Sequence, residues 1–184
     1  MTIGVLGLQG SVAEHGRAIE SDGDIFRRVL SPEDLDKIDG LIIPGGESTT
    51  LTKLIKIKML DEAILRKARE GLKIWGTCAG LILLSKEVKG GEIEPLGLLD
   101  ITAGRNGYGT QMQSFSTTVP FRGGFEAVSF IRAPKILSCG ESVTILSEYA
   151  GLPVAVCTES IMATTFHPEV TGSLGVYRYF KNTL

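Results

Sequence analysis

The sequence has few of the residues that define specialised protein classes. Only 3 of its 184 residues are cysteines, and 19 basic side chains stand against 21 acidic ones, which gives a formal net charge of -2. Binding to nucleic-acid phosphates needs a basic excess that this chain lacks, so we expect no nucleic-acid partner. Cys78, Cys139 and Cys157 are widely spaced and odd in number, which fits neither a CxxC metal site nor a disulfide framework. We therefore expect free thiols and no bound metal.

Long hydrophobic runs are absent as well. No apolar run approaches the roughly 18 to 20 residues that cross a bilayer, and the first five residues lack the basic segment of a signal peptide. The chain is therefore expected to be cytoplasmic, without a membrane partner. With 43% hydrophobic and 22% charged residues it has the composition of a globular protein. Its length predicts one domain, spanning residues 1–184.

The first half of the chain alternates apolar runs with helical patterns. Strands are predicted at residues 2–8, 25–30, 40–43 and 72–75. The first predicted helix begins at Ser11, which forms a capping box with Glu14, and ends at about residue 21. Three more helices are predicted: a short one after Ser31-Pro32, one over 48–70 and one over 79–86. Strand–helix units of this length imply a parallel sheet with helices on both faces.

The second half changes to short β-branched or apolar runs. They predict strands at residues 98–103, 114–119, 127–131, 143–146, 154–158 and 161–166, followed by a helix at 173–181. We interpret these strands as antiparallel additions to the sheet. The predicted fold class is thus a three-layer α/β domain with a mainly parallel central sheet.

A cysteine lies at a predicted strand-to-helix turn. The segment Gly-Thr-Cys78-Ala-Gly has the form of a nucleophile elbow, with cysteine in place of serine. Its glycines let the chain pass close to a strained residue, and the following helix N-terminus favours a thiolate. Taken alone, Cys78 fits a small buried hydrophobic residue equally well.

A thiolate nucleophile needs a general base, and the chain has two histidines. His15 lies in a polar stretch of the first predicted helix, and we interpret it as a solvent-facing residue. His167 follows an apolar strand and precedes Pro168, at a position where sheet enzymes keep catalytic groups. Two residues further on, Glu169 can orient the imidazole, so His167 is the predicted base.

A third motif is Pro-Gly-Gly-Glu47-Ser48, which follows the third predicted strand. Consecutive glycines allow a loop with exposed backbone N–H groups, suited to a developing oxyanion. No Gly-Lys-Ser/Thr follows, so the segment is not a P-loop. Taken alone, the segment is better interpreted as a turn in which Glu47 and Ser48 begin a helix.

Together these motifs resemble those of the class I, or triad, glutamine amidotransferases. Within that class the chain looks like the glutaminase subunits of pyridoxal 5'-phosphate synthase over essentially its whole length. The segments that carry this closer resemblance are Gly7-Leu8-Gln9-Gly10 with Glu14-His15, residues 44–50, and Arg105-Asn106 with Tyr108-Gly109 and Gln111. The sequence departs from the pattern of these subunits at Gly107, Thr110, Gln113 and Ser116, where charges are missing.

The resemblance implies an enzyme that hydrolyses L-glutamine and passes ammonia to a synthase subunit in a hetero-oligomer. It makes Cys78 the nucleophile, His167 the proton carrier and Glu169 the residue that orients His167. It also implies a glutamine pocket lined by Gly46, Glu47, Ser48, Arg105, Ile131 and Arg132. Such acyl transfer needs no cofactor, because thiolate, base and oxyanion donors suffice. Two alternatives stay open: a cysteine hydrolase of γ-glutamyl peptides, and a docking subunit that does not turn over.

Overall fold

The computed structural model describes residues 1–105 and 114–183. Within these ranges the chain forms twelve strands: β1 (Thr2–Leu6), β2 (Ile25–Val29), β3 (Gly40–Ile43), β4 (Lys73–Thr77), β5 (Ser85–Lys89), β6 (Leu99–Gly104), β7 (Ser114–Phe121), β8 (Gly124–Ile131), β9 (Lys135–Cys139), β10 (Thr144–Tyr149), β11 (Leu152–Cys157) and β12 (Ile161–Thr164). The same ranges hold six α-helices: α1 (Val12–Ser21), α2 (Ser48–Ile57), α3 (Leu60–Arg69), α4 (Ala79–Leu84), α5 (Pro168–Thr171) and α6 (Gly175–Thr183). A 3-10 helix covers Pro32–Lys37.

The central sheet has seven strands in the order β10-β11-β12-β4-β3-β1-β2. From β12 to β2 all neighbours pair in parallel, whereas β10 and β11 add in antiparallel fashion. Side chains alternate across β3: Leu41 and Ile43 pack in one hydrophobic cluster with α2, α3 and α4, and Ile42 packs in another with α1 and α6. Helices therefore cover both faces, which confirms the predicted three-layer α/β fold.

The remaining strands form two smaller sheets. Strands β5, β6 and β9 make one, and the hairpin β7–β8 makes the other. The expectation that every late strand adds to the central sheet in antiparallel fashion is therefore wrong. Of the late strands in the described ranges, β10, β11 and β12 join that sheet, and β12 pairs in parallel with β4. Two of the strands in the small sheets, β5 and β9, were not predicted.

Two predicted helices have different bounds in the structure. The helix predicted over residues 48–70 is broken at Met59, whose φ of 55° places it in the left-handed region, and α3 starts at the next residue. The helix predicted over 79–86 ends at Leu84, because Ser85 turns into the extended conformation that starts β5. Among the described residues, no helix is long and apolar enough to cross a membrane.

The sheet order brings four loops to one edge. Strands β12, β4, β3 and β1 are consecutive neighbours and run in parallel, so the segments that follow them emerge side by side. These segments contain the His-Pro-Glu motif, Cys78, the Gly-Gly-Glu-Ser loop and Gln9-Gly10. The carboxyl edge of a parallel sheet is where such folds place their sites.

Candidate active site

Cys78 lies between β4 and α4 in a strained backbone conformation, with φ 49° and ψ -100°. Its backbone N–H donates to the carbonyl of Thr164 on the neighbouring strand at 2.8 Å. The flanking glycines make this turn possible: a Cβ at Gly76 would lie 2.5 Å from backbone atoms of Gly80, and one at Gly80 would lie 2.1 Å from the carbonyl oxygen of Ile43. The turn thus presents a strained residue at the head of a helix, the geometry of a nucleophile elbow.

His167 and Glu169 are buried beside this cysteine. Nδ1 of His167 lies 2.7 Å from Oε1 of Glu169. Burial disfavours the charged imidazole, but hydrogen bonds to Cys78 and Glu169 outweigh it and raise the pKa of His167 to about 10. Burial would raise the pKa of Glu169, yet the charge and hydrogen bond of His167 and the Ser11 hydroxyl lower it to about 2. An ionised carboxylate therefore faces a protonated imidazole.

The backbone around His167 is held by the β7–β8 hairpin. Its N–H donates to the carbonyl of Ser129 at 2.7 Å, and its carbonyl accepts from the N–H of Ser129 at 3.4 Å. The Ser129 hydroxyl in turn bonds to that of Ser116, one of the residues at which the sequence departs from the related subunits. Gly107, Thr110 and Gln113, the other three, lie outside the described residues, as do Asn106, Tyr108, Gly109 and Gln111.

His15 is not solvent-facing, so that interpretation is wrong. Its side chain is fully buried, with Nδ1 2.6 Å from the Tyr177 hydroxyl and Nε2 3.5 Å from Oε1 of Glu169. The capping box predicted for α1 is also wrong: the Ser11 hydroxyl donates to Glu169 at 2.7 Å instead of capping the helix. A signal for His15 exists in the sequence, since it lies three residues after Val12 and four before Ile19, on the buried face of α1.

The glycine loop after β3 packs directly on His167. A Cβ at Gly45 would lie 2.2 Å from Cε1 of the imidazole, and the Gly45 carbonyl accepts from the N–H of Ser11 at 3.2 Å. Gln9 holds the next residues: its Nε2 donates to the Glu47 carbonyl at 2.8 Å, and its Oε1 accepts from the Glu47 N–H at 3.3 Å. The Gln9-Gly10 segment follows β1 and is therefore expected at the same sheet edge as Gly46, and the two bonds of Gln9 to Glu47 confirm that position.

The predicted glutamine-pocket residues lie around Cys78. Glu47 caps α2 by accepting from the N–H groups of Thr50 and Thr49, and these bonds outweigh the opposing effect of burial and lower its pKa to about 2. A guanidinium nitrogen of Arg105 lies 3.5 Å from Oε1 of Glu47. The carbonyl of Ile131 accepts from the Cys78 thiol at 3.8 Å, and the exposed Arg132 follows it with a left-handed φ of 44°. Ser48 is buried at the first position of α2.

These residues line one cavity of about 920 Å³. Every predicted catalytic and substrate-binding residue contributes to its wall: Cys78, His167, Glu169, Gly46, Glu47, Ser48, Arg105, Ile131 and Arg132. The cavity continues past His167 along α1 and α5, where Glu14, Arg17 and Val170 line it. A nucleophile, a charged imidazole and a carboxylate thus meet in one cleft with a cationic end, an arrangement suited to acyl transfer from an amino-acid substrate.

Comparisons with known proteins agree with this geometry. Residues 5–184 match the model of the SNO glutamine amidotransferase family. The chain is 48% identical to a Thermotoga petrophila protein named pyridoxal 5'-phosphate synthase subunit PdxT, over 98% of this chain and 97% of that protein. It is 49% identical to the Listeria monocytogenes protein of the same name, over 97% and 96% of the two chains.

Solved structures give the same result. A crystal structure described as a glutamine amidotransferase superposes with a TM-score of 0.93 at 39% identity, covering 97% of this chain and 96% of that one. The structure of PurLQS from Thermotoga maritima, 18% identical with a TM-score of 0.70, covers 98% and 97% and shares the fold. Since the family model spans nearly the whole sequence, the chain belongs to the SNO glutamine amidotransferase family.

Proposed function

We propose that this chain hydrolyses L-glutamine to L-glutamate and ammonia through a γ-glutamyl thioester on Cys78. The observation that carries the proposal is the continuous contact from the thiol through His167 to Glu169 in one cavity. Its relatives are named as subunits of pyridoxal 5'-phosphate synthase, which places the reaction in ammonia supply for that synthase.

The reaction follows from the protonation states. The Cys78 thiolate attacks the carboxamide carbon of glutamine and forms a tetrahedral intermediate. When the C–N bond breaks, protonated His167 gives its proton to the nitrogen, so ammonia leaves and a thioester remains. Water then attacks the thioester while neutral His167 accepts its proton, and collapse releases glutamate and regenerates the thiolate. Throughout, Glu169 holds the imidazole in one orientation.

The remaining pocket residues bind the substrate. In this proposal Arg105 and the Ile131-Arg132 pair hold the carboxylate end of glutamine, since an arginine fork binds both oxygens of such a group. The amino group lies toward Glu47, whose carboxylate stays ionised. Gly46 supplies backbone donors to the developing oxyanion, and Ser48 closes the wall next to it.

The ammonia passes to a synthase subunit that builds pyridoxal 5'-phosphate, in a cytoplasmic hetero-oligomer. Residues 1–184 act as one unit in this assembly. No cofactor or nucleic acid takes part in the reaction proposed, because the thiolate, the imidazole and the oxyanion donors carry out every step.

The test is ammonia release from glutamine by the pure chain, alone and with the synthase of a related organism. We expect release that requires Cys78, so Cys78→Ala and Cys78→Ser abolish it while Cys139→Ser leaves it nearly unaltered. Glutamate release from γ-glutamyl dipeptides in place of glutamine would favour a γ-glutamyl hydrolase. Binding to the synthase without any turnover would favour a docking subunit.

A further inference from the structure

Among the residues that the structure describes, the Glu169 carboxylate makes its polar contacts through one oxygen. Oε1 accepts from the Ser11 hydroxyl at 2.7 Å and faces Nδ1 of His167 at 2.7 Å. The buried Oε2 has no hydrogen-bond partner among the residues that the structure describes. The orientation of this carboxylate therefore depends on the groups gathered around Oε1.

His15 is the third group at Oε1, and nothing in the proposed reaction uses it. Its Nε2 lies 3.5 Å from Oε1 and 3.4 Å from the Thr77 hydroxyl, while its Nδ1 lies 2.6 Å from the Tyr177 hydroxyl. The ring packs edge-on against Trp75 and Tyr177, with centroids 5.9 and 5.8 Å away. A fully buried imidazole costs desolvation free energy that an apolar side chain would avoid, so its polar contacts need an explanation.

The proton positions on His15 follow from its neighbours. Burial and the Glu169 charge raise the pKa of Tyr177, so its hydroxyl keeps its proton. That hydroxyl can donate to Nδ1, which leaves the ring proton on Nε2. Burial lowers the pKa of His15 more than the Glu169 and Glu14 charges raise it, and the His167 charge lowers it too. His15 is thus a neutral imidazole whose N–H is available to Glu169 and Thr77.

We propose that His15, oriented by Tyr177, is a positioning residue that turns its Nε2–H toward Glu169 and so keeps the carboxylate aligned with His167. It touches neither substrate nor thiol. Its effect reaches the reaction through the carboxylate, because a misaligned Glu169 stabilises the protonated His167 less and leaves less thiolate at Cys78. The inference deepens the proposed function and rests on it for its kinetic part.

The experiment compares His15→Leu, which removes the donor, with His15→Gln, whose amide N–H can take the place of Nε2–H. Tyr177→Phe removes only the hydroxyl that orients the ring. Two readouts are taken: kcat and KM for glutamine in the complex with the synthase, and the rate at which iodoacetamide alkylates Cys78, followed by mass spectrometry. Phe180→Leu is the control for a loss of stability alone. Phe180 packs on Trp75 in the same hydrophobic cluster and is not one of the polar groups around His15 and Glu169.

We expect His15→Leu to lower kcat and the alkylation rate about tenfold or more, with KM nearly unchanged, since the change removes a buried N–H that faces a charged carboxylate at 3.5 Å, and ionic contacts of this kind contribute by that order. His15→Gln should restore most of the loss. Tyr177→Phe should lower both rates in the same direction, and adding it to His15→Leu should cost nothing further. Phe180→Leu should lower the Tm without lowering kcat at a temperature well below it.

Two results would overturn the proposal. The first is that His15→Leu and Tyr177→Phe both keep the wild-type kcat and the wild-type alkylation rate. The second is that kcat falls in proportion to the fall in Tm in every variant, Phe180→Leu included, since such a pattern reflects a structural effect only. If wild-type protein released no ammonia with the synthase, the proposed function would fail, but the alkylation rates would still decide the role of His15. Should His15→Leu not fold, Tyr177→Phe and His15→Gln decide it.

Discussion

The backbone of Gly45 packs against the imidazole of His167 so closely that a Cβ at this position would lie 2.2 Å from Cε1 of the ring. The ring has little freedom to retreat, because its Nδ1 is bonded to Glu169 and its backbone is bonded to Ser129 on both sides. The glycine loop and the imidazole of His167 are therefore a single packed unit, and a displacement of one displaces the other.

This contact predicts the effect of Gly45→Ala. The methyl group has to displace either the ring or the loop, so the distance between His167 and Cys78 changes and kcat falls, by about tenfold or more if the shift approaches 1 Å. The measurement is glutaminase kinetics in the complex with the synthase. Gly124→Ala is the matched control, because a Cβ there meets only the carbonyl of Phe121, at 3.9 Å. Equal kcat in both variants would contradict the prediction.

Arg105→Ala is expected to raise the KM for glutamine about tenfold or more, with a smaller effect on kcat, since an ionic hydrogen bond to the substrate carboxylate contributes about 1.5–3 kcal/mol. Steady-state kinetics of ammonia release measures both constants. Arg69→Ala, at the exposed end of α3, removes the same charge away from the cavity and should leave KM as it was. A fall in kcat at constant KM would instead assign Arg105 to the chemical step.

The sequence alone predicted Cys78 and His167 as site residues because each follows a strand that its own apolar pattern predicts, and Glu169 because it lies two residues after His167. The contacts that hold these side chains were not predictable in this way. Ser11 and Glu169 are 158 residues apart, and the local capping rule assigned the Ser11 hydroxyl to α1 instead. The polar neighbours of His15 favour a solvent-facing position, whereas its helical spacing from Val12 and Ile19 indicates the buried position that it occupies.

The fold shows the same division between local and long-range information. Parallel strand–helix units follow from periodicity, which is why the central sheet was predicted. The break at Met59 has no glycine or proline to mark it, so the pattern continued through it. Strand β9 pairs with β6, about 35 positions earlier, and its Lys-Ile-Leu-Ser-Cys run is too short and mixed to predict a strand without that partner.

The raised pKa of His167 predicts how stability depends on pH. The folded protein keeps this proton up to about pH 10, whereas the unfolded chain releases it near 6.5. The stabilisation is therefore complete below about pH 6.5 and is lost as the pH rises through 10. Urea unfolding at pH 7 and 9.5 should show a larger fall in the free energy of unfolding for the wild type than for His167→Gln. Parallel curves for the two proteins would show that His167 is not charged in the folded state.

Gln9 connects the loop after β1 to the glycine loop after β3, which predicts a role in activation by the synthase. Its amide bonds to both the N–H and the carbonyl of Glu47, and a Cβ at Gly46 would lie 2.7 Å from it, so any contact that moves Gln9 also moves the Gly46 peptide. Glycine offers little resistance to such a rotation. A synthase that docks on this edge can thereby turn the backbone donors toward the oxyanion.

We expect the isolated chain to be a weak glutaminase whose turnover rises severalfold when the synthase is added, and Gln9→Ala to reduce that ratio of rates. The measurement is ammonia release with and without saturating synthase, with binding checked separately so that lost docking is not mistaken for lost activation. Lys53→Ala is the control, because Lys53 is exposed on α2 beyond the loop and should keep the wild-type ratio. Two results would contradict this prediction. One is full activity in the lone wild-type chain, which would show that the glycine loop holds its active conformation before docking. The other is a Gln9→Ala protein whose turnover rises with the synthase as much as that of the wild type.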